Sequence, residues 1–202
     1  MFGFLKRTRR PQANLTEAEL ARRLTAPGYR CACCNEVLDA PNAVRLRPFG
    51  WPNPPAPRPD ADFDSSGDIV TERYARRGRD LLARAHLPIP VKGTDDHVFI
   101  SVWVNLSTGD FARFRSAQGR GEADRLGDLN GWLSSRLPAD TGPVLTKGLL
   151  VPVADGAMPV YWITEPKHPL HPAQHDGGLT AREIAALYED LGEQDLVQHL
   201  KA

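Results

Sequence analysis

Three cysteines fall within four residues, Cys31-Ala32-Cys33-Cys34. Three of the six histidines fall within eight, His168-Pro169-Leu170-His171-Pro172-Ala173-Gln174-His175. Cys31 and Cys34 have the Cys-x-x-Cys spacing that lets two thiolates grip one ion from a tight turn, while Cys33, next to Cys34, is expected to point elsewhere. Asn35 follows where a residue able to take the left-handed conformation would close that turn. A closed tetrahedral zinc site takes four ligands, so two more donors must come from distant sequence. His168 and His171 are the candidates, with His175 as an alternative, giving a Cys2His2 set. Two other chemistries fit the same residues. A Cys33 or Cys34 thiolate, its pKa depressed beside Arg30 or a base such as His168, would serve as nucleophile or redox centre. The third reading has small buried thiols, with histidines serving local backbone groups.

Cysteines gathered in one turn differ from the spread, even-numbered set of a secreted disulfide scaffold, which points to a reducing, cytoplasmic setting. No apolar run reaches the roughly 18 residues of a membrane span. Met1 to Arg10 places its charges after a short apolar stretch, the reverse of a secretory signal. Lys and Arg together number 25, against 25 Asp and Glu, which excludes a generally basic nucleic-acid binder and leaves only a local patch. The neutrality is uneven. Residues 1–30 carry seven cations and two carboxylates, and residues 176–202 carry six carboxylates and two cations. The ends either attract one another or face different partners, as a partner-neutralising, toxin-inhibitor-like protein would require; two solvated helices of opposite sign are the plainer reading. There is no Gly-x-Ser-x-Gly elbow, no phosphate-binding Walker loop and no His-Glu-x-x-His, so no catalytic template is assembled. The cluster Arg73, Arg76, Arg77 and Arg79 reads as a solvated strand edge, and the four tryptophans as core.

The elements that must position these residues follow from pattern. Thr16-Glu17-Ala18-Glu19 and Thr180-Ala181-Arg182-Glu183 have the form of capping boxes, each opening a helix with a leucine-rich face. Residues 41–67 hold seven prolines and read as a loop draped over the core. Ile69–Tyr74 and Leu81–Val91 read as strands, with Pro88 and Pro90 confining the second one's end to an edge or bulge. From Val98 to Leu106 the apolar residues alternate at period two, the clearest strand in the chain. Phe111–Arg115 reads as its hairpin partner, and Leu129–Leu133 as a small compact turn or helix end. Val144–Val153 and Met158–Thr164 form a hairpin about Asp155-Gly156. Pro169 and Pro172 speak against a regular helix in the histidine segment. Strands in series between terminal helices give one α+β domain over residues 14–202, its sheet mainly antiparallel, behind a basic tail at 1–13.

Tyr29-Arg30-Cys31-Ala32-Cys33-Cys34 resembles the Cys-x-Cys-Cys-Gly opening of a bacterial family of uncharacterised proteins, a domain of unknown function. In the same order, Val102-Trp103-Val104-Asn105-Leu106-Ser107 is similar to its Trp-Val-Ser-Leu-Ser strand. Gly131-Trp132-Leu133 with Leu137-Pro138, and His168-Pro169-Leu170 with Gln174 and Gly178, also match. The likeness spans about residues 28–191. Asn35 replaces the family's Gly, and the cysteine expected near Asp68-Ile69-Val70 is absent. The resemblance implies boundaries and candidate residues but no reaction. The expectation is therefore a cytoplasmic binding or interaction domain with a protein partner, its Cys/His cluster structural or zinc-bound. The alternative is a Cys33/Cys34-dependent enzyme using a histidine from 168–175.

Overall fold

The computed structural model describes residues 15–46, 51, 53–137, 146–154 and 157–202. The basic tail, Pro48, Phe49, Pro52, Pro138, Val144, Leu145 and Asp155-Gly156 therefore lie outside the described residues. Helix α1 (Glu17–Thr25) leads into a two-stranded hairpin, β1 (Tyr29–Arg30) and β2 (Val37–Leu38). Then come β3 (Ala43–Arg45), a 3₁₀ turn at Asp60–Asp64, β4 (Ile69–Val70), β5 (Tyr74–Arg77), β6 (Asp80–Pro90) and β7 (His97–Leu106). Helix α2 (Thr108–Gly119), β8 (Leu129–Leu133), β9 (Lys147–Val151), β10 (Val160–Ile163), α3 (Leu170–His175), α4 (Ala181–Asp190) and α5 (Gln194–Lys201) complete the chain. This is a single α+β domain with a mostly antiparallel sheet and terminal helices.

The long hairpin β6–β7 is the spine. Its register runs from Leu81 opposite Leu106 to Pro90 opposite His97. One face carries Ala83, Ala85, Leu87 and Ile89 against Val104, Val102, Ile100 and Val98, all buried. The period-two pattern of these strands is thus the core face itself. Beyond β7 the sheet continues antiparallel through β8, β9 and β10, and β10 returns parallel to β6 at Val160 opposite His86. Five strands thereby close into a ring, with β3 appended to β7 and β5–β4 to β6. Tyr161 is fully buried and donates its hydroxyl to the Thr146 carbonyl at 2.8 Å. Gly148 makes room for it, because a Cβ there would strike the Tyr161 ring and the Trp162 carbonyl.

Closure between β10 and β6 rests on a side chain as much as on a ladder. Pro88 opposes Phe99, whose N–H is given to the Asn42 carbonyl on the far side, so Pro88 occupies a position needing no donor toward β7. On the other edge Gln174 of α3 accepts from the Ile163 N–H at 2.9 Å and donates to the carbonyls of Tyr161 and Pro88, at 3.0 and 3.4 Å. The prolines thus sit where β6 has lost its neighbouring strand, which is how they lie within a continuous strand.

Helices α1, α4 and α5 pack together, with α1 also against β7. Thr180 and Glu183 make a reciprocal capping box, and the Thr180 backbone N–H holds the Glu183 carboxyl below the usual range. Thr16 accepts from the Glu19 N–H, but the Glu19 carboxylate goes to Arg22 and Arg23, so only half of that box forms. The terminal helices meet through the minority charge of each end: Arg182 lies 3.4 Å from Glu17, while Arg23 donates to the Leu200 backbone carbonyl at 2.9 Å.

Trp132, expected in the core, is exposed, and four expectations about the elements also need correction. Phe111–Arg115 is helix α2, because Ser107 accepts from the Asp110 N–H and Phe111, Phe114 and Ala117 form a helical stripe. Leu129–Leu133 is strand β8, alternating buried and exposed. The Ile69–Tyr74 run is split at Thr71, which donates its hydroxyl to the Tyr74 carbonyl and turns β4 into β5. The histidine segment does form a helix, since Pro169 caps it and Pro172 falls in the first turn, where no N–H is required.

Candidate metal centre

The cysteine turn joins β1 to β2, with Tyr29 opposite Leu38 and Arg30 opposite Val37. Cys31 donates its N–H to the Glu36 carbonyl at 2.8 Å, and the Asn35 N–H returns to the Cys31 carbonyl at 2.9 Å. Closing so tight a loop takes a left-handed residue, and Asn35 supplies it with φ 64°, the one positive φ outside glycine among the described residues. The Arg30 guanidinium fastens the Asn35 carbonyl at 2.9 Å.

The turn directs all three sulfurs to one side, Cys33 included, and His199 of α5 meets them there. The His199 Nδ1 lies 3.5 Å from the Cys34 Sγ and 3.9 Å from the Cys33 Sγ. The Cys31 and Cys33 sulfurs are 2.9 Å apart, and all four potential ligand atoms lie within 4.8 Å of one another. The Glu36 Oε2 lies 3.4 Å from the His199 Nε2 and 3.9 Å from the Cys34 Sγ. Cys31 is buried, Cys33 and Cys34 are exposed. Helix α5 is held in place by Val197 and Leu200, both buried, and by Arg23 on its last carbonyls. Arg23 also lies 5.4 Å over the Tyr29 ring, so α1 ties the hairpin and α5 together.

Burial pushes the Cys31 thiol up, but hydrogen bonds from Cys33 and His199 and the backbone N–H groups of Cys33 and Cys34 outweigh it and bring it down to about 6. Its hydrogen-bonded neighbour Cys33 is pushed up to about 12, chiefly by sharing that contact with Cys31. Within this hydrogen-bonded pair the proton leaves Cys31 more readily than Cys33.

The other histidines lie elsewhere. His168 is buried with its Nδ1 accepting from the Leu170 N–H at 3.1 Å. His171 and His175 have ring centroids 4.3 Å apart, and His175 places Nε2 3.0 Å from the Ile163 carbonyl. None of the three belongs to the cysteine group. Sequence reasoning passed over His199, a lone histidine in the last turn of an amphipathic helix with no motif around it. Its one signal was its place beside the buried Leu200. A cavity of about 710 Å³ lies between the 3₁₀ turn, β5 and α2, walled by Phe63, Tyr74, Phe111 and Arg115, and no cysteine lines it.

Residues 30–178 match a family described as "uncharacterized protein conserved in bacteria (DUF2199)", which is most of the chain. The chain belongs to this family. No curated protein and no solved structure matches it. The DUF2199 segment contains Cys31, Cys33 and Cys34 and stops before His199, so the fourth member of the cluster comes from outside the matched region. No helix among the described residues is long and apolar enough to cross a membrane.

Proposed function

We propose that this protein is a zinc-binding interaction domain in which Cys31, Cys33, Cys34 and His199 hold the ion and fasten α5 to the N-terminal hairpin. The observation that carries the reading is the convergence of three sulfurs and one imidazole nitrogen within 4.8 Å. Zinc–sulfur and zinc–nitrogen bonds of about 2.3 and 2.0 Å make a tetrahedron with edges of about 3.5 to 3.8 Å. The two Nδ1–sulfur separations, 3.5 and 3.9 Å, already have that size. The Cys31–Cys33 edge, at 2.9 Å, has to open by about 1 Å to reach it. A three-thiolate, one-imidazole set suits zinc over the harder divalent ions. Glu36 lies within reach of both the His199 Nε2 and the Cys34 Sγ, at 3.4 and 3.9 Å, and the Cys31 thiol, held below the usual thiol range by its hydrogen bonds, gives up its proton readily to a metal. The experiment is elemental analysis of untagged, reduced protein, with cobalt substitution to count thiolates. About one equivalent is expected, with thiolate-to-cobalt bands that weaken in Cys33→Ser and in His199→Ala. Zinc below about a tenth of an equivalent with thiols intact sinks the reading.

One observation favours a second reading. The His199 Nδ1 lies 3.5 Å from the Cys34 Sγ, an imidazole base beside a thiol, with the Glu36 carboxylate 3.4 Å from the His199 Nε2 and 3.9 Å from the Cys34 Sγ itself. That reading leaves Cys31 and Cys33 without a role, and the cavity at α2 does not adjoin it. Its mark is fast, His199-dependent alkylation of Cys34 in protein that takes up no zinc.

A further inference from the structure

A second cluster lies on the face of β3, β7 and β6 opposite the buried alternation. Arg84 and His86 are two residues apart on β6. Trp103 of β7 pairs with Arg84, and Ser101 pairs with His86 on one side and with Arg45 of β3 on the other. Residues paired directly across strands share a face about 5 Å apart, and diagonal neighbours lie within about 8 Å. Arg45 and His86 are therefore the direct cross-strand neighbours of Ser101, which is 6% exposed, and Arg84 is its diagonal neighbour. The Arg84 guanidinium lies 4.7 Å from the Trp103 ring centre, a cation–π contact.

These cations are unlike most others in the chain. Arg22, Arg58, Arg73, Arg77, Arg113 and Arg115 each sit within ion-pair distance of a carboxylate. Among the described residues Arg45 and Arg84 have no such partner. The acids that reach Arg84 through space are Glu72, which is exposed, and Asp60, whose carboxylate is taken by the Arg73 side chain and N–H. Burial, then Arg45, push the Arg84 guanidinium down, and burial, then Arg45 and Arg84, push His86 down. Arg84 and His86 are half-buried and Arg45 is exposed, and like charges brought together in this way cost stability that an anion seated between them would recover.

We propose that Arg45, Arg84, His86 and Ser101 form a binding site for a phosphate group. Two guanidinium forks, an imidazole and a hydroxyl supply more donors than one carboxylate accepts, and they match the several oxygens of a phosphate. The site is independent of the cysteine cluster. It reconciles a chain of zero net charge with a local cationic patch.

The test is calorimetry on the reduced full chain with three probes: inorganic phosphate, adenosine monophosphate and a single-stranded oligothymidylate. Binding of at least one is expected below about 1 mM, weakened roughly tenfold or more by Arg84→Gln and several-fold by Arg45→Gln. Arg84→Lys, which keeps the charge but loses the fork, should also bind weakly. Arg113→Gln on α2 should change nothing. Arg45 is exposed, so its variant reports even where Arg84→Gln fails to fold. Phosphate binding as well as the other two identifies a free-anion site. Preference for the oligonucleotide, with a salt dependence that shrinks in Arg45→Gln, identifies a nucleic-acid backbone; both outcomes support the proposal. Silence from all three probes at about 10 mM overturns it, as does equal weakening by Arg113→Gln or equal binding of polyglutamate.

Discussion

Asn35 sits at the point where backbone conformation becomes ligand geometry. With φ 64° it folds the chain back so that its N–H reaches the Cys31 carbonyl, and this return aims the three thiols of the turn at one spot. Asparagine tolerates that conformation and glycine accepts it freely, whereas a β-carbon without a local polar group is strained by roughly 1 kcal/mol. Asn35→Gly should therefore leave metal affinity nearly unchanged. Asn35→Ala should lower both stability, by about 1 kcal/mol, and cobalt affinity, measured by urea melts and competition titration. Equal affinities for the two variants would show that the turn does not depend on this conformation. The role of Asn35 was legible from residue type alone, since a polar residue after Cys-x-x-Cys has few other reasons to be there. His199 was not legible, because nothing in a single helical histidine tells which distant turn it will meet. That information is carried by the packing of α1 against α5 and the hairpin.

Among the elements, α3 completes the seam between β10 and β6. Its Gln174 satisfies the Ile163 N–H and the carbonyls of Tyr161 and Pro88 where β10 leaves β6, and it is 4% exposed. Gln174→Leu keeps the volume and strands these groups without water, so a loss of about 3 kcal/mol is expected in chemical denaturation. A loss no larger than that of a surface substitution would mean that solvent already reaches the seam. Strands whose apolar residues alternate, β6 and β7 above all, could be read from sequence because their pattern is the core face. The others were hidden for specific reasons. Asn130-Gly131 looks like a turn, yet Gly131 is required because the Val104 side chain occupies the space its β-carbon would take. In α2, Ser107 pairs with Asp110 rather than with a glutamate three residues on, so the cap did not resemble a capping box. The prolines of the histidine segment suppress a helix only beyond its first turn, and α3 has six residues.

For the molecule as a whole, the C-terminal helices do more than cover the sheet. Helix α5 supplies His199 to a hairpin more than 160 residues earlier in the chain, so a metal there closes a very long loop. If zinc ties these segments, chelation of the reduced protein should lower the melting temperature by several degrees and release the α5 amides to exchange before those of β6 and β7. His199→Ala should reproduce the effect without chelator. An unchanged melting temperature with zinc removed would leave the cluster without a structural role. The five-stranded ring has a different weak point. Four of its sides are antiparallel ladders, while the fifth joins β10 to β6 at one residue pair and then hands over to an amide side chain. A ladder yields bond by bond, but a side chain yields all at once with a single rotation. Water reaching the Tyr161 hydroxyl should enter along that side, and α3 acts as the stopper that keeps the barrel dry.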